Sequence, residues 1–240
     1  MLWGDIVDKL AFQRALRSHQ DHADLRGYPL FLLQKPTIHN FWDKIYFMHW
    51  TLVEELAEPE EQRRRWLLWF DADSLILNPS AGLETFLPPE NMSQIQFICT
   101  KDLNGLNSGV FLFRVSLLTA YYMAKIMAAM ELVFNETEYR DHVVFVPKRW
   151  INGYAGDVQT GDLLVHFPGV GDRPTAIEEW LATIEKEDNI DMVREKAACA
   201  SAKGLQVKTF RNEAREFRAI SSRFNGSSFR AEGIWEPECA

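Results

Sequence analysis

The sequence predicts an α/β domain, a mostly parallel central sheet flanked by helices, and three observations lead to it. Short apolar runs at 66–70 (WLLWF), 94–100 (QIQFICT), 110–114 (VFLFR) and 142–147 (HVVFVP) read as buried strands. Longer segments with helical periodicity lie between them, and strands alternating with helices argue for a largely parallel sheet. Two carboxylates, Asp71 and Asp73, stand where WLLWF ends, and in open α/β sheets ligands bind outside the carboxyl ends of the strands.

Taken in order, residues 6–26 form a helix, with Ile6, Leu10, Ala11, Ala15, Leu16 and Ala23 at helical spacing and Gly27 as its C-cap. YPLFLLQ (28–34) reads as a strand ended by Lys35-Pro36. A second helix covers 40–57, with Phe41, Ile45, Met48 and Leu52 on one face. His49 belongs to it and reads as a packed residue. After the strand at 66–70 and the strand at 94–100 comes the turn-rich stretch 101–109, which feeds VFLFR. Residues 116–133 form a helix whose methionines are core packing. GDLLVHFPG (161–169) is a turn, a strand and a second turn, and 175–186 is an amphipathic helix around Ile177, Trp180, Leu181 and Ile184. The domain is expected to span 1–188, with 189–240 as peripheral helices and a tail.

Composition narrows the function. At 240 residues and 47% hydrophobic, the chain can bury a sizeable core. Its net charge of −8 argues against nucleic acid as a partner. No apolar run reaches the ~18 residues of a membrane helix, and MLWGDIVDKL has neither the basic nor the apolar region of a signal peptide. Cys99, Cys199 and Cys239 show no metal spacing; Cys99 reads as a core thiol. Three glycosylation sequons, at Asn91, Asn135 and Asn225, hint at a secretory-pathway lumen.

Three stretches carry chemistry. Asp71-Ala72-Asp73 presents two hard oxygen anions that can hold a divalent cation, and such a cation can neutralise a diphosphate. Asn104-Gly105-Leu106-Asn107-Ser108-Gly109 combines glycines that let backbone approach a ligand with amides suited to sugar hydroxyls. In the third stretch His166 ends an apolar run, as the aspartates do. Two carboxylates with one imidazole suit Mn²⁺ better than an all-oxygen site would, with Mg²⁺ as the other cation the site could take.

With these residues in hand, the chain resembles glycosyltransferase family 34. WFDADSLILNP, GLNSGVFLFR and GDLLVHFPG occur in that family's order and wording, as do HADLRGYPL (22–30), WDKI (42–45) and VPKRWINGY (146–154). The family includes fungal Golgi α-mannosyltransferases and α-galactosyltransferases and plant xyloglucan xylosyltransferases. The resemblance covers residues ~5–185. It implies a GT-A fold, a nucleotide-sugar donor, Mn²⁺ and retention of anomeric configuration. It matches Asp71, Asp73 and His166 to the metal ligands, and Asn107 and Gly109 to the donor-side loop. Donor contacts are expected from Asp71, Asn104, Asn107, Ser108, Gly109 and Gly169, and no catalytic residue is assigned. The donor would be GDP-mannose or UDP-galactose, the acceptor a glycan, the location the Golgi, and other glycosyltransferase subunits are candidate partners.

Two departures from the family pattern bear on activity. Family members begin with a sheet strand ahead of the helix that here starts near Ile6, so this first strand is expected to be missing, with the anchor and stem. The Glu-Gln element expected before the VP strand is reduced to Glu131. The rival reading is therefore a catalytically weak homologue serving as a non-enzymatic subunit of a glycosyltransferase complex.

Overall fold

The computed structural model describes residues 9–34, 42–126, 140–159 and 161–186. Helix α1 (Leu10–Arg26) buries Ala11, Phe12, Ala15, His19, His22 and Ala23. It ends at Gly27, whose φ of 71° favours glycine, and the Tyr28 N–H closes the cap on Ala23 O at 2.8 Å. Helix α2 (Trp42–Ala57) buries Ile45, Met48 and Leu52, the face its periodicity predicts. Strand β1 (Trp66–Phe70) is followed by β2 (Ser74–Ile76), a 3₁₀ turn at Leu83–Phe86, β3 (Phe97–Asp102), β4 (Gly105–Arg114) and α3 (Leu117–Ile126). Then come β5 (Val143–Phe145), the one-turn α4 (Lys148–Ile151), β6 (Gly153–Tyr154), β7 (Leu164–His166) and α5 (Arg173–Lys186).

Two sheets form. The larger has the order β1-β4-β3-β5 and the smaller β2-β7-β6. Strands β1 and β3 both pair antiparallel with β4, and β5 pairs parallel with β3. Thus β1, β3 and β5 point the same way and β4 runs against them. The α/β class holds, but the pairing is mixed rather than mostly parallel. The cause is local: the register pairs Asp102 with Gly105, so β3 and β4 are joined by a two-residue turn, and such a turn can only make an antiparallel pair.

Both faces of the larger sheet are buried, which is why its strands read as continuous apolar runs. Phe97, Cys99, Phe111 and Phe113 meet Ile45, Met48 and Leu52 of α2 and Tyr122 and Met123 of α3. The alternate residues Ile98 and Leu112 face the other way, toward Val146 and Ile151. Cys99 is a core thiol, as expected, and burial pushes its pKa up. A separate cluster joins Phe12 and Ala15 of α1 to Leu75, Val165, Ile177 and Leu181, packing α1 and α5 on the smaller sheet.

The strand expected at 28–34 does not form. Tyr28–Leu33 line an apolar groove of about 350 Å³ together with β1 and with Phe47 and Met48 of α2. A strand is defined by its ladder, and across this groove none is made among the described residues. Conversely β2 and β6 are strands too short to show as apolar runs, and GLNSG, expected as a turn, is the first half of β4. The start of the first helix, Lys35-Pro36, Phe41, the second half of the helix at 116–133, Glu131, Asn135, Asn225, Cys199, Cys239 and the tail at 189–240 lie outside the described residues.

Candidate metal and donor site

The site lies where the chain passes from one sheet to the other. The Asp71 N–H donates to Gly109 O at 2.8 Å, extending the β1–β4 ladder by one residue. Two residues later the chain has joined the smaller sheet: the Phe167 N–H donates to Asp73 O at 2.9 Å, and Ser74 pairs with His166. The Asp-x-Asp segment is therefore pinned at both ends by backbone hydrogen bonds. It carries its carboxylates to the end of β7, where His166 projects. One ligand atom each from Asp71, Asp73 and His166 lies within 4.8 Å of the others. Two carboxylates and an imidazole make a hard-to-borderline donor set suited to a divalent cation.

Each carboxylate already has a cationic partner. Lys44, buried in α2, donates from Nζ to Asp71 Oδ1 at 2.9 Å and to Ser108 O at 2.5 Å. Its ammonium stands 4.9 Å from the centre of the Trp69 ring, and Trp69 Nε1 donates to the same Asp71 oxygen at 2.8 Å. Burial lowers the Lys44 pKa, and the Asp71 charge opposes that shift. Arg173, the first residue of α5, places Nε 2.7 Å from Asp73 Oδ2, and the other oxygen, Oδ1, is 3.5 Å from His166 Nε2.

The His166 ring lies against Gly109. A Cβ built on Gly109 would fall 2.1 Å from His166 Cε1, so only glycine leaves room for the ring. The other ring nitrogen, Nδ1, is 2.8 Å from Asn152 Oδ1. Asn152 in turn donates to Thr100 Oγ1 at 2.9 Å and to Asn107 Oδ1 at 2.8 Å. Asn107 donates to Asp102 Oδ2 at 3.0 Å and to Tyr154 Oη at 2.5 Å, and Tyr154 Oη donates to Asp102 Oδ2. Burial would raise the Asp102 carboxyl, yet the hydrogen bonds from Tyr154 and Asn107 hold it low.

Asp71, Asp73 and His166 thus come together. Asn107 and Gly109 adjoin them, but as supports of His166. Ser108 contributes its backbone carbonyl to Lys44. Asn104 sits in the exposed β3–β4 turn, where its N–H meets Asp102 Oδ1 at 2.7 Å, and Gly169 lies exposed in the turn after His166. Sequence reasoning missed Lys44, Trp69, Asp102, Asn152, Tyr154 and Arg173 as site residues. Lys44 lies in the WDKI segment, and Asn152 and Tyr154 lie in VPKRWINGY. The segments were legible, but nothing in their spacing linked them to His166.

No family model matches the chain. It is 24% identical over 211 residues to an uncharacterised α-1,2-galactosyltransferase of Schizosaccharomyces pombe, with 64% of this chain and 55% of that protein covered. A probable α-1,2-galactosyltransferase of the same yeast is 27% identical over 168 residues, covering 48% of this chain and 51% of that protein. An α-1,2-galactosyltransferase, also from this yeast, is 22% identical over 223 residues, covering 70% of this chain and 59% of that protein. The chain thus spans between 51% and 59% of the length of these relatives. Among solved structures, a glycosyltransferase involved in glycosylating the major capsid of PBCV-1 matches with a TM-score of 0.58 at 13% identity, covering 74% of this chain and 96% of that one. That likeness shows the fold, of the GT-A glycosyltransferase type. The resemblance to family 34 therefore stands, and the chain is a distant homologue of fission-yeast α-1,2-galactosyltransferases.

Proposed function

We propose that this chain carries the donor site of a divalent-metal-dependent, retaining hexosyltransferase acting on a glycan acceptor. The observation that carries the reading is the convergence of Asp71, Asp73 and His166 from two sheets on one point. The named activity of the relatives favours UDP-galactose over GDP-mannose as donor. Asp71, Asp73 and His166 would hold Mn²⁺ or Mg²⁺, which when bound neutralises the nucleoside diphosphate as it leaves. The chain's own residues set up that step. Lys44 and Trp69 fix the Asp71 carboxylate through Oδ1. Gly109 leaves the space that the His166 ring fills. Arg173 adds a cation beside Asp73 that can also face a phosphate.

No carboxylate nucleophile is assigned, and a front-face route needs none. The bond from the anomeric carbon to the diphosphate oxygen breaks, the acceptor oxygen bonds the same face, and its proton passes to the leaving phosphate. A product of inverted configuration, read by NMR, would refute this route. The Golgi location rests on the resemblance; the sequon at Asn91 lies on an exposed turn, which suits a lumenal protein.

One observation favours a second reading, a subunit that binds without turning over. Lys44 and Arg173 already pair with the two carboxylates, so the site is charge-balanced without a metal. Calorimetric titration of UDP-galactose, GDP-mannose and UDP-glucose with and without Mn²⁺, followed by a turnover assay, separates the two. Mn²⁺-dependent binding with transfer of the sugar to an acceptor and release of UDP or GDP supports the enzyme; binding without turnover supports the subunit.

A further inference from the structure

We infer that Asn152 is a positioning residue that fixes His166 in the tautomer protonated at Nδ1, leaving Nε2 as a lone pair aimed at Asp73. The inference deepens the metal-site reading and rests on it for its functional meaning, but the hydrogen-bond argument stands apart.

The Gly109 backbone N–H can only donate, and it lies 2.9 Å from Asn107 Oδ1. Asn107 therefore presents its oxygen to Gly109 and its nitrogen to the other side. There it meets the Asp102 carboxylate, which can only accept, so both ends of the amide agree. The Asn152 atom 2.8 Å from Asn107 Oδ1 must then be a donor, its Nδ2, which also serves Thr100 Oγ1. Asn152 is thereby left with Oδ1 facing His166 Nδ1 at 2.8 Å. A carbonyl oxygen only accepts, so Nδ1 carries the proton. A neutral imidazole has one N–H, and Nε2 is bare.

The consequence lies at the other end of the ring. Nε2 faces Asp73 Oδ1 at 3.5 Å, lone pair toward carboxylate, with no proton to share. Two buried acceptors face to face are stabilised by a cation between them. Asn152 and His166 are 1% and 3% exposed, so water does little to relax the network. The chain from the Gly109 amide through Asn107 and Asn152 thus holds the imidazole ready to ligate, the task that outer hydrogen bonds perform for metal-bound histidines.

The first test needs no variant. Side-chain nitrogen NMR of the metal-free protein at about pH 8, where an unperturbed imidazole is neutral, reads the His166 tautomer directly. The Nδ1–H form is expected, and the Nε2–H form would overturn the inference whether or not metal binds. The second test compares Mn²⁺ affinity by electron paramagnetic resonance in wild type, Asn152→Leu and Asn152→Asp. Asn152→Leu is expected to weaken binding by ~10- to 100-fold. Asn152→Asp keeps an acceptor at Nδ1 but sets a second acceptor against Asn107 Oδ1, so it is expected to recover only part of that loss. Equal affinity in all three proteins would contradict the positioning role. A wild type that binds no Mn²⁺ would instead overturn the metal-site reading, leaving the tautomer to be decided by NMR.

Discussion

Gly109 and Arg173 show how two neighbours decide what His166 and Asp73 can do. Because a Cβ at Gly109 would meet the His166 ring at 2.1 Å, Gly109→Ala is expected to displace the imidazole and cost about 1–3 kcal/mol of stability by overpacking. Denaturant titration with a parallel Mn²⁺ titration checks both effects. Unchanged Mn²⁺ affinity would remove His166 from the ligand set. Arg173 occupies Asp73 Oδ2 at 2.7 Å and so competes with a cation for that carboxylate. Arg173→Gln is therefore expected to tighten Mn²⁺ binding to the donor-free protein several-fold, on the scale of ~1 kcal/mol for a partly exposed ion pair. Weaker binding would show that the guanidinium supports the metal site. At this scale the sequence revealed the residues whose chemistry is intrinsic, the two aspartates and the histidine. It concealed Lys44, Asn152 and Arg173, whose roles exist only through partners 14 to 100 positions away.

Elements explain why the site stands where it does and where the sequence misled. Long strands buried on both faces, such as β1 and β4, announce themselves as apolar runs. The short β2 and β6 carry no such run, yet the β2–β7 pairing brings Asp73 to His166. YPLFLLQ has the composition of a strand but lacks a ladder partner among the described residues, and composition alone cannot supply one. The contact between α1 and β2 is open to test by pH. His19 of α1 is fully buried, its Nε2 3.1 Å from Ser74 O and its ring stacked 3.7 Å from Phe70. Burial pushes its pKa down to about 3. The folded protein therefore keeps His19 neutral between about pH 3 and 6.5 while the unfolded chain protonates it, so the unfolded state binds more protons in that window. Stability conferred by the neutral ring is present above about pH 6.5 and is lost as pH falls, at up to about 1.4 kcal/mol per unit. His19→Gln is expected to flatten that slope in denaturant titrations between pH 7 and 4. An unchanged slope would place the acid sensitivity elsewhere.

At the scale of the molecule, the segment Asp71-Ala72-Asp73 leads from the larger sheet into the smaller one, and the two sheets also share an apolar cluster in which Val110 meets Ile76, Leu163 and Leu164. A cation held there would ligate residues from both sheets and bind only the folded chain. Mn²⁺ at 100 times its dissociation constant should therefore stabilise the protein by about 2.7 kcal/mol, and Asp73→Ala should lose this gain. Calorimetric unfolding checks it. The α/β class and the GT-A resemblance were legible because both rest on local patterns in order along the chain. The antiparallel insertion of β4 was not, because it depends on a two-residue turn hidden in a glycine- and asparagine-rich stretch. The most direct test of the central claim, that Asp71, Asp73 and His166 form a cation-dependent nucleotide-sugar site, is isothermal titration of UDP-galactose into the wild-type chain with and without Mn²⁺, repeated with Asp73→Ala. Binding that requires Mn²⁺ and disappears in the variant is the predicted result. Binding that is indifferent to the metal or to Asp73 would contradict it.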